Sequence, residues 1–105
     1  MTTYVLNSPI LTADGTYTFR RISADEAKNL VAGGFVSAIG HDASAAALSA
    51  VLGVTVPTNR VAITMQTGDA AVVLKLAGRL PEGKVLNLAE LEALGFELYL
   101  LEKTA

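Results

Sequence analysis

The run ASAAALSAVL, residues 43 to 52, constrains this chain more than any other stretch. Alanine and leucine favour a helix, Gly53 stops it, and only Ser44 and Ser49 are polar. A helix that is apolar nearly all round is either buried in its own core or packed against a partner subunit. Its small residues let neighbouring elements approach closely. The remaining residues therefore have to wrap this helix, or a second copy of the chain has to cover it.

Around it, strand-like and helix-like segments alternate. Tyr4 to Leu6 is a short β-prone run that ends at Asn7-Ser8-Pro9, Ala13-Asp14-Gly15 signals a turn, and Tyr17-Thr18-Phe19 is β-prone again. Ser23 with Glu26 reads as a capping box. It opens a helix with an apolar face of Ala27, Leu30 and Val31, ended by Gly33-Gly34. Phe35 to Ile39 reads as a buried strand. Val61 to Met65, the turn Gln66-Thr67-Gly68-Asp69 and the apolar run Ala70 to Leu76 together predict a hairpin. Asn87, with Glu90 three residues on, caps a third helix that Gly95 ends, and Phe96 to Leu101 is the last strand. The expectation is one α/β domain over residues 1–105, a mixed β-sheet of about five strands flanked by about three helices.

Composition narrows the function classes. A chain of 105 residues, 51% hydrophobic and 17% charged, is long enough for one core and too apolar to stay disordered. No apolar run approaches the about 20 residues of a membrane span, so no membrane partner is expected. The stretch MTTYVLNSP lacks the basic flank and apolar centre of a secretory signal, which makes a cytoplasmic location the expectation. Without cysteine there is no disulfide framework and no thiolate metal site. A single histidine argues against a transition-metal site, so neither metal nor cofactor is expected. The net charge of −2 argues against loose binding to long nucleic acid, but leaves room for one small anion in an enclosed pocket. The apolar content exceeds what so short a chain buries alone, which points to a homodimer.

The one histidine, His41, stands in SAIGH, between a strand-like run and the apolar helix. That position puts an imidazole at the carboxyl end of a sheet, where open α/β sheets hold ligands. The helix start beside it offers unpaired N–H groups to an anion, and Asp42 is a candidate cap. Imidazole is the side chain best suited to acid–base work near neutral pH. A histidine that merely hydrogen-bonds in a turn fits the same position. Arg60 and Arg79 lie among turn residues, and their forks match phosphate oxygens, although each also reads as a solvated surface charge. Arg20-Arg21 reads as surface, and Lys75, interrupting an apolar strand, is open to either reading. Glu82 sits in the loop-like segment RLPEG, which could close as a lid. There is no dinucleotide fingerprint, phosphate-binding loop or nucleophile elbow.

Read together, NSPIL, SAIGH, ALSAVLG, VPTNR, TGDAAVVLKL and RLPEG occur in the order and approximate spacing of one family. The chain resembles the viral type III anti-CRISPR ring nucleases, which have bacterial CRISPR-associated and prophage relatives. The resemblance implies a homodimer that binds cyclic tetra-adenylate and cuts it, without metal, to linear di-adenylates. It matches His41 to the catalytic histidine, and Arg79 and Glu82 to the arginine and glutamate of the RLPEG loop. Arg60 matches a ligand-contacting arginine and Asn7 an asparagine at the end of the first strand. The expected ligand-binding set is thus Asn7, Ser8, Gly40, Ser44, Arg60 and Arg79. One departure stands out: many relatives carry Ser-Thr where this chain has Ala43-Ser44, so a side-chain hydrogen bond from residue 43 is unavailable.

Two other classes compete. A binding module would sequester the cyclic nucleotide, with His41 as a donor only. An interaction protein would use its apolar surplus for oligomerisation and leave Arg60 and Arg79 solvated.

Overall fold

The helix that dominates the sequence, α2 (Asp42–Leu52), has no exposed residue after Asp42. Its burial is achieved within one chain. In the computed structural model, which describes residues 2–9, 11–79 and 86–105, α2 packs between α1 (Ala24–Val31) and α3 (Leu88–Leu94). Ala45, Leu48, Val51 and Leu52 join Ala27, Val31 and Leu91 in a cluster that also takes Val5, Val72, Leu74, Leu98 and Leu100 from one face of the sheet. Ser49 is accommodated because its hydroxyl donates to the Ala45 carbonyl at 2.8 Å and accepts the Val56 N–H at 2.8 Å. Of the two fates read for this helix, the structure shows the first.

The sheet contains β1 (Thr3–Leu6), β2 (Tyr17–Ile22), β3 (Val36–Ser37), β4 (Ala70–Leu76) and β5 (Phe96–Lys103), in the order β2-β5-β4-β1-β3. β1 runs parallel to both β3 and β4, whereas β5 is antiparallel to β4 and β2. The chain is a single α/β domain with a five-stranded mixed sheet and three helices, as the sequence predicts. Side chains alternate across it. Val72 and Leu74 face the helices, while Ala71 and Val73 join Leu6 and Leu101 in a second cluster on the opposite face.

That opposite face is where the sequence misleads. Val61 to Met65 forms no strand and no hairpin with β4, because both edges of β4 are already taken, by β1 and by β5. The segment crosses the second face as an irregular strap. Ile63 and Met65 are buried in the second cluster, while Val61, Ala62 and Thr64 are exposed. The Thr12 hydroxyl donates to the Ile63 carbonyl at 2.9 Å. The alternation reports one-sided burial, which a strap shares with a strand. β3 is also shorter than the expected Phe35 to Ile39: its ladder covers Val36 and Ser37, and Ala38 adds one N–H bond to the Val5 carbonyl.

Caps hold the helices in place. Asn87 and Glu90 form the complete reciprocal box at α3. At α1 the Ser23 hydroxyl accepts the Glu26 N–H, but the Glu26 carboxylate is engaged with Arg20 at 2.6 Å. Arg20 and Arg21 therefore lie in a strand and pair with surface carboxylates, Arg21 with Glu97 at 3.6 Å.

Asp69 ties β4 to the start of β1. Its buried carboxylate accepts the Thr2 N–H at 2.8 Å and the Gln66 N–H at 2.9 Å. The Gln66 hydrogen bond, followed by that from Thr2, holds this carboxyl below its usual range. A carboxylate whose pKa falls on folding stabilises the fold above its unfolded pKa, and the contribution fades as pH drops. Asp69→Ala is expected to lower unfolding free energy by about 2 kcal/mol at neutral pH. In urea titrations at a series of pH values, the gap to wild type should narrow below about pH 4.

Candidate functional site at the carboxyl edge of the parallel strands

Parallel pairing makes β3, β1 and β4 end on the same edge of the sheet. The residues that follow them are Ala38 to His41, Asn7 with Ser8, and Ala77 to Arg79. Topology therefore brings His41, Asn7, Ser8 and Arg79 to one edge from three segments. Glu82 lies outside the described residues, as does the rest of RLPEG after Arg79.

The corner at His41 is built by a second strap, Pro57 to Arg60, laid along β3 and its extension. The Ser37 hydroxyl donates to the Pro57 carbonyl at 2.6 Å, and the Asn59 side-chain amide donates to the Ser37 carbonyl at 2.7 Å. The Asn59 N–H reaches the Ile39 carbonyl at 2.8 Å, and Arg60 Nε donates to the Gly40 carbonyl at 2.7 Å. A Cβ on Gly40 would lie 3.0 Å from Arg60 Cγ, a tight contact that would push the arginine back by a few tenths of an ångström. Only Nε of the guanidinium is used by this bond. Among the described residues the two terminal nitrogens have no acceptor, which leaves a fork suited to an anion.

His41 itself is the N-cap residue of α2, with extended backbone (φ −127°, ψ 130°), and its carbonyl accepts the Ala45 N–H at 3.0 Å. The imidazole is exposed, makes no cap hydrogen bond and has no side-chain partner among the described residues. Asp42 does not cap the helix as the sequence suggests. It is the first helical residue, one position too late, and its carboxylate accepts the Thr58 hydroxyl at 2.6 Å. Ser44 is half-buried in the first turn, where backbone N–H groups have no intrahelical acceptor.

Asn7 and Ser8 fall in a different part of the same edge. With Phe19, Lys75 and Tyr99 they line a cleft of about 400 Å³ at the carboxyl ends of β1 and β4. His41, Arg60 and Arg79 are not among its walls. The sequence reading thus groups residues that the structure distributes over a cationic corner and a cleft. It missed Asn59 as the anchor of the corner, and Phe19 and Tyr99 as cleft walls. Lys75 carried a visible signal, a charge inside an apolar run. The aromatic pair carried none, because it depends on strand register.

Among the described residues, no helix is long and apolar enough to cross a membrane. Among the same described residues, no group of three or more His, Cys, Asp or Glu side chains is placed to hold a metal ion.

The fold is that of a small α/β protein in which three parallel strands end on one edge beside an arginine-bearing corner. The chain belongs to the STIV B116-like family, whose profile matches residues 3–98. It is 45% identical to the uncharacterized protein ORF117 of Acidianus two-tailed virus, over 95% of this chain and 92% of that one. It is 35% identical to uncharacterized protein 26 of a Sulfolobus islandicus filamentous virus, over 94% and 89%. A bacterial relative, YddF of Bacillus subtilis, is 32% identical over 93% and 94%. B116 of Sulfolobus turreted icosahedral virus has the same fold, with a TM-score of 0.82 at 23% identity, covering 97% of this chain and 99% of that one.

The corner makes its own stability prediction. Asn59→Ala removes the donor to the Ser37 carbonyl and should cost about 1–2 kcal/mol in chemical denaturation. Asn59→Asp, which sets an acceptor against that carbonyl, should cost more. Wild-type stability in both variants would mean that the strap does not depend on this bond.

Proposed function

We propose that this protein is a metal-independent ring nuclease. It binds cyclic tetra-adenylate as a homodimer and cuts it to linear di-adenylates, ending type III CRISPR second-messenger signalling. The observation that carries the reading is the juxtaposition at one corner of an uncommitted imidazole, His41, with Arg60 pinned by Nε to Gly40. This is an acid next to a phosphate fork, on the sheet edge where ligands bind. Relatives in two archaeal viruses fit a protein that acts against a host signal.

RNA supplies its own nucleophile. A ribose 2′-oxygen attacks the adjacent phosphorus in line with the leaving 5′-oxygen, the P–O5′ bond breaks, and a 2′,3′-cyclic phosphate forms. His41 gives its proton to the departing 5′-oxygen. Glu82 takes or directs the proton of the 2′-hydroxyl. Arg60 and Arg79 stabilise the charge on the phosphate in flight. The first-turn N–H groups near Ala43 and Ser44 supply further donors, which keeps an anion contact available despite the missing hydroxyl at residue 43. A two-fold dimer suits a four-fold ring, with one His41 for each of two opposite phosphates. Local cations then hold a multiply charged anion although the chain carries a net charge of −2.

The test uses the purified protein with cyclic tetra-adenylate in EDTA, with products separated by chromatography. Wild type is expected to yield di-adenylates. His41→Ala should cut about a thousandfold more slowly while still binding the ring. Binding without cutting by both proteins would favour a sequestering module. Neither binding nor cutting would refute the reading.

A further inference from the structure

We propose that the cleft bounded by Phe19, Lys75 and Tyr99 is a subsite for one adenosine phosphate unit, with Lys75 on the phosphate and the aromatic wall against the base. The proposal rests on the nucleotide reading above and adds residues that the reading does not contain.

Three observations point to this chemistry. Phe19 and Tyr99 are stacked, with centroids 4.5 Å apart and planes 8° from parallel, and Phe19 is 47% exposed on an edge strand. An exposed ring in a cleft is what a nucleobase stacks on, whatever its sequence context. The volume, about 400 Å³, suits a nucleotide-sized guest, and the walls mix apolar, amide, hydroxyl and ammonium groups.

The second observation is the state of Lys75. It is an exposed cation in a strand whose preceding four residues are all buried. Its register partner on β5 is Glu97, the carboxylate expected to neutralise it. That carboxylate is engaged elsewhere: it accepts the Tyr99 hydroxyl at 2.8 Å and lies 3.6 Å from Arg21. Among the described residues, Lys75 has no ion-pair partner. A cation lining a cleft, with its natural counter-ion turned to another group, is fitted to an anionic guest.

The third is that Tyr99 is held in place. Its hydrogen bond to Glu97 fixes the ring against Phe19, and that bond also raises the phenol above its usual range, so the hydroxyl stays a donor. Asn7 and Ser8 complete the cleft at the end of β1 and connect it to the edge that carries His41.

The test is an NMR titration of the full-length protein with adenosine 5′-monophosphate, run beside the cyclic tetra-adenylate assay. Wild type is expected to show saturable shifts at Tyr99, Phe19 and Lys75. Phe19→Ala should weaken binding about tenfold, as loss of one base-stacking contact does. Lys75→Gln should weaken it at low salt and flatten its salt dependence. Inosine 5′-monophosphate and ribose 5-phosphate separate recognition of the base from capture of the phosphate. Ribose 5-phosphate binding as tightly as the nucleotide would overturn the base wall. If the nucleotide shifts these residues but the ring is not cut, the subsite stands and the nuclease reading falls. If the ring is cut, but the nucleotide leaves these residues unmoved and neither substitution raises KM, the subsite falls and the nuclease reading stands. Because both side chains are exposed, the variants should retain the wild-type fold, checked by their amide spectra.

Discussion

The arrangement depends on four residues at the start of the chain. β1 lies between β3 and β4, and its two innermost side chains, Val5 and Leu6, are fully buried on opposite faces. Val5 enters the core beneath the helices, and Leu6 enters the one beneath the strap. A shift of one residue in register would exchange the two and empty both sites. The same register fixes where the chain emerges as Asn7, between the exits of β3 and β4. Core packing and the placement of this edge are therefore one constraint.

The corner at His41 is made chiefly from backbone. The Ser37, Ile39 and Gly40 carbonyls, which lie at or beyond the end of a two-residue edge ladder, accept from Asn59 and Arg60. An exposed strand edge of this kind invites pairing with another chain. Here the strap occupies those acceptors and in the same act pins a guanidinium to the carbonyl of Gly40, the residue before His41. Protection of the edge and construction of a cationic corner share the same hydrogen bonds. Charge is managed in the same way on the other side of the sheet. Glu97 orders Tyr99 and faces Arg21 rather than Lys75, so a chain of negative net charge keeps discrete positive points along one edge.

Much of this is legible in the sequence. Composition alone confines α2 to its own core or to a partner subunit, since a helix with two serines for polarity has no wet face to offer, and the fold decides for the core. His41 could be placed because a strand-like run, a glycine and a helix start follow in immediate succession. Val61 to Met65 was misread because periodicity records which side chains are buried, not which backbones are paired. The competing partner, β1, is far away in sequence. Asp42 reads as the cap because Asp is the stronger cap by type, while the chain geometry gives that place to His41, one position earlier. Phe19 and Tyr99 meet only because β2 aligns with β5, and no short-range pattern encodes that.

The parallel pairing of β1 with β4 also governs how the protein comes into being. The Thr2–Asp69 contact spans 67 residues, and β1 finds its central neighbour only when nearly all of the intervening chain exists. Contacts of such long span slow folding, because the entropy of closing the loop is lost before the contact compensates for it. The α2 segment, its strap and the His41 corner they build can collapse earlier, but Asn7 and Arg79 join that corner on one edge only when β4 docks against β1. The full edge thus takes shape as a late event in folding, with no fragment that stops short of β4 able to assemble it.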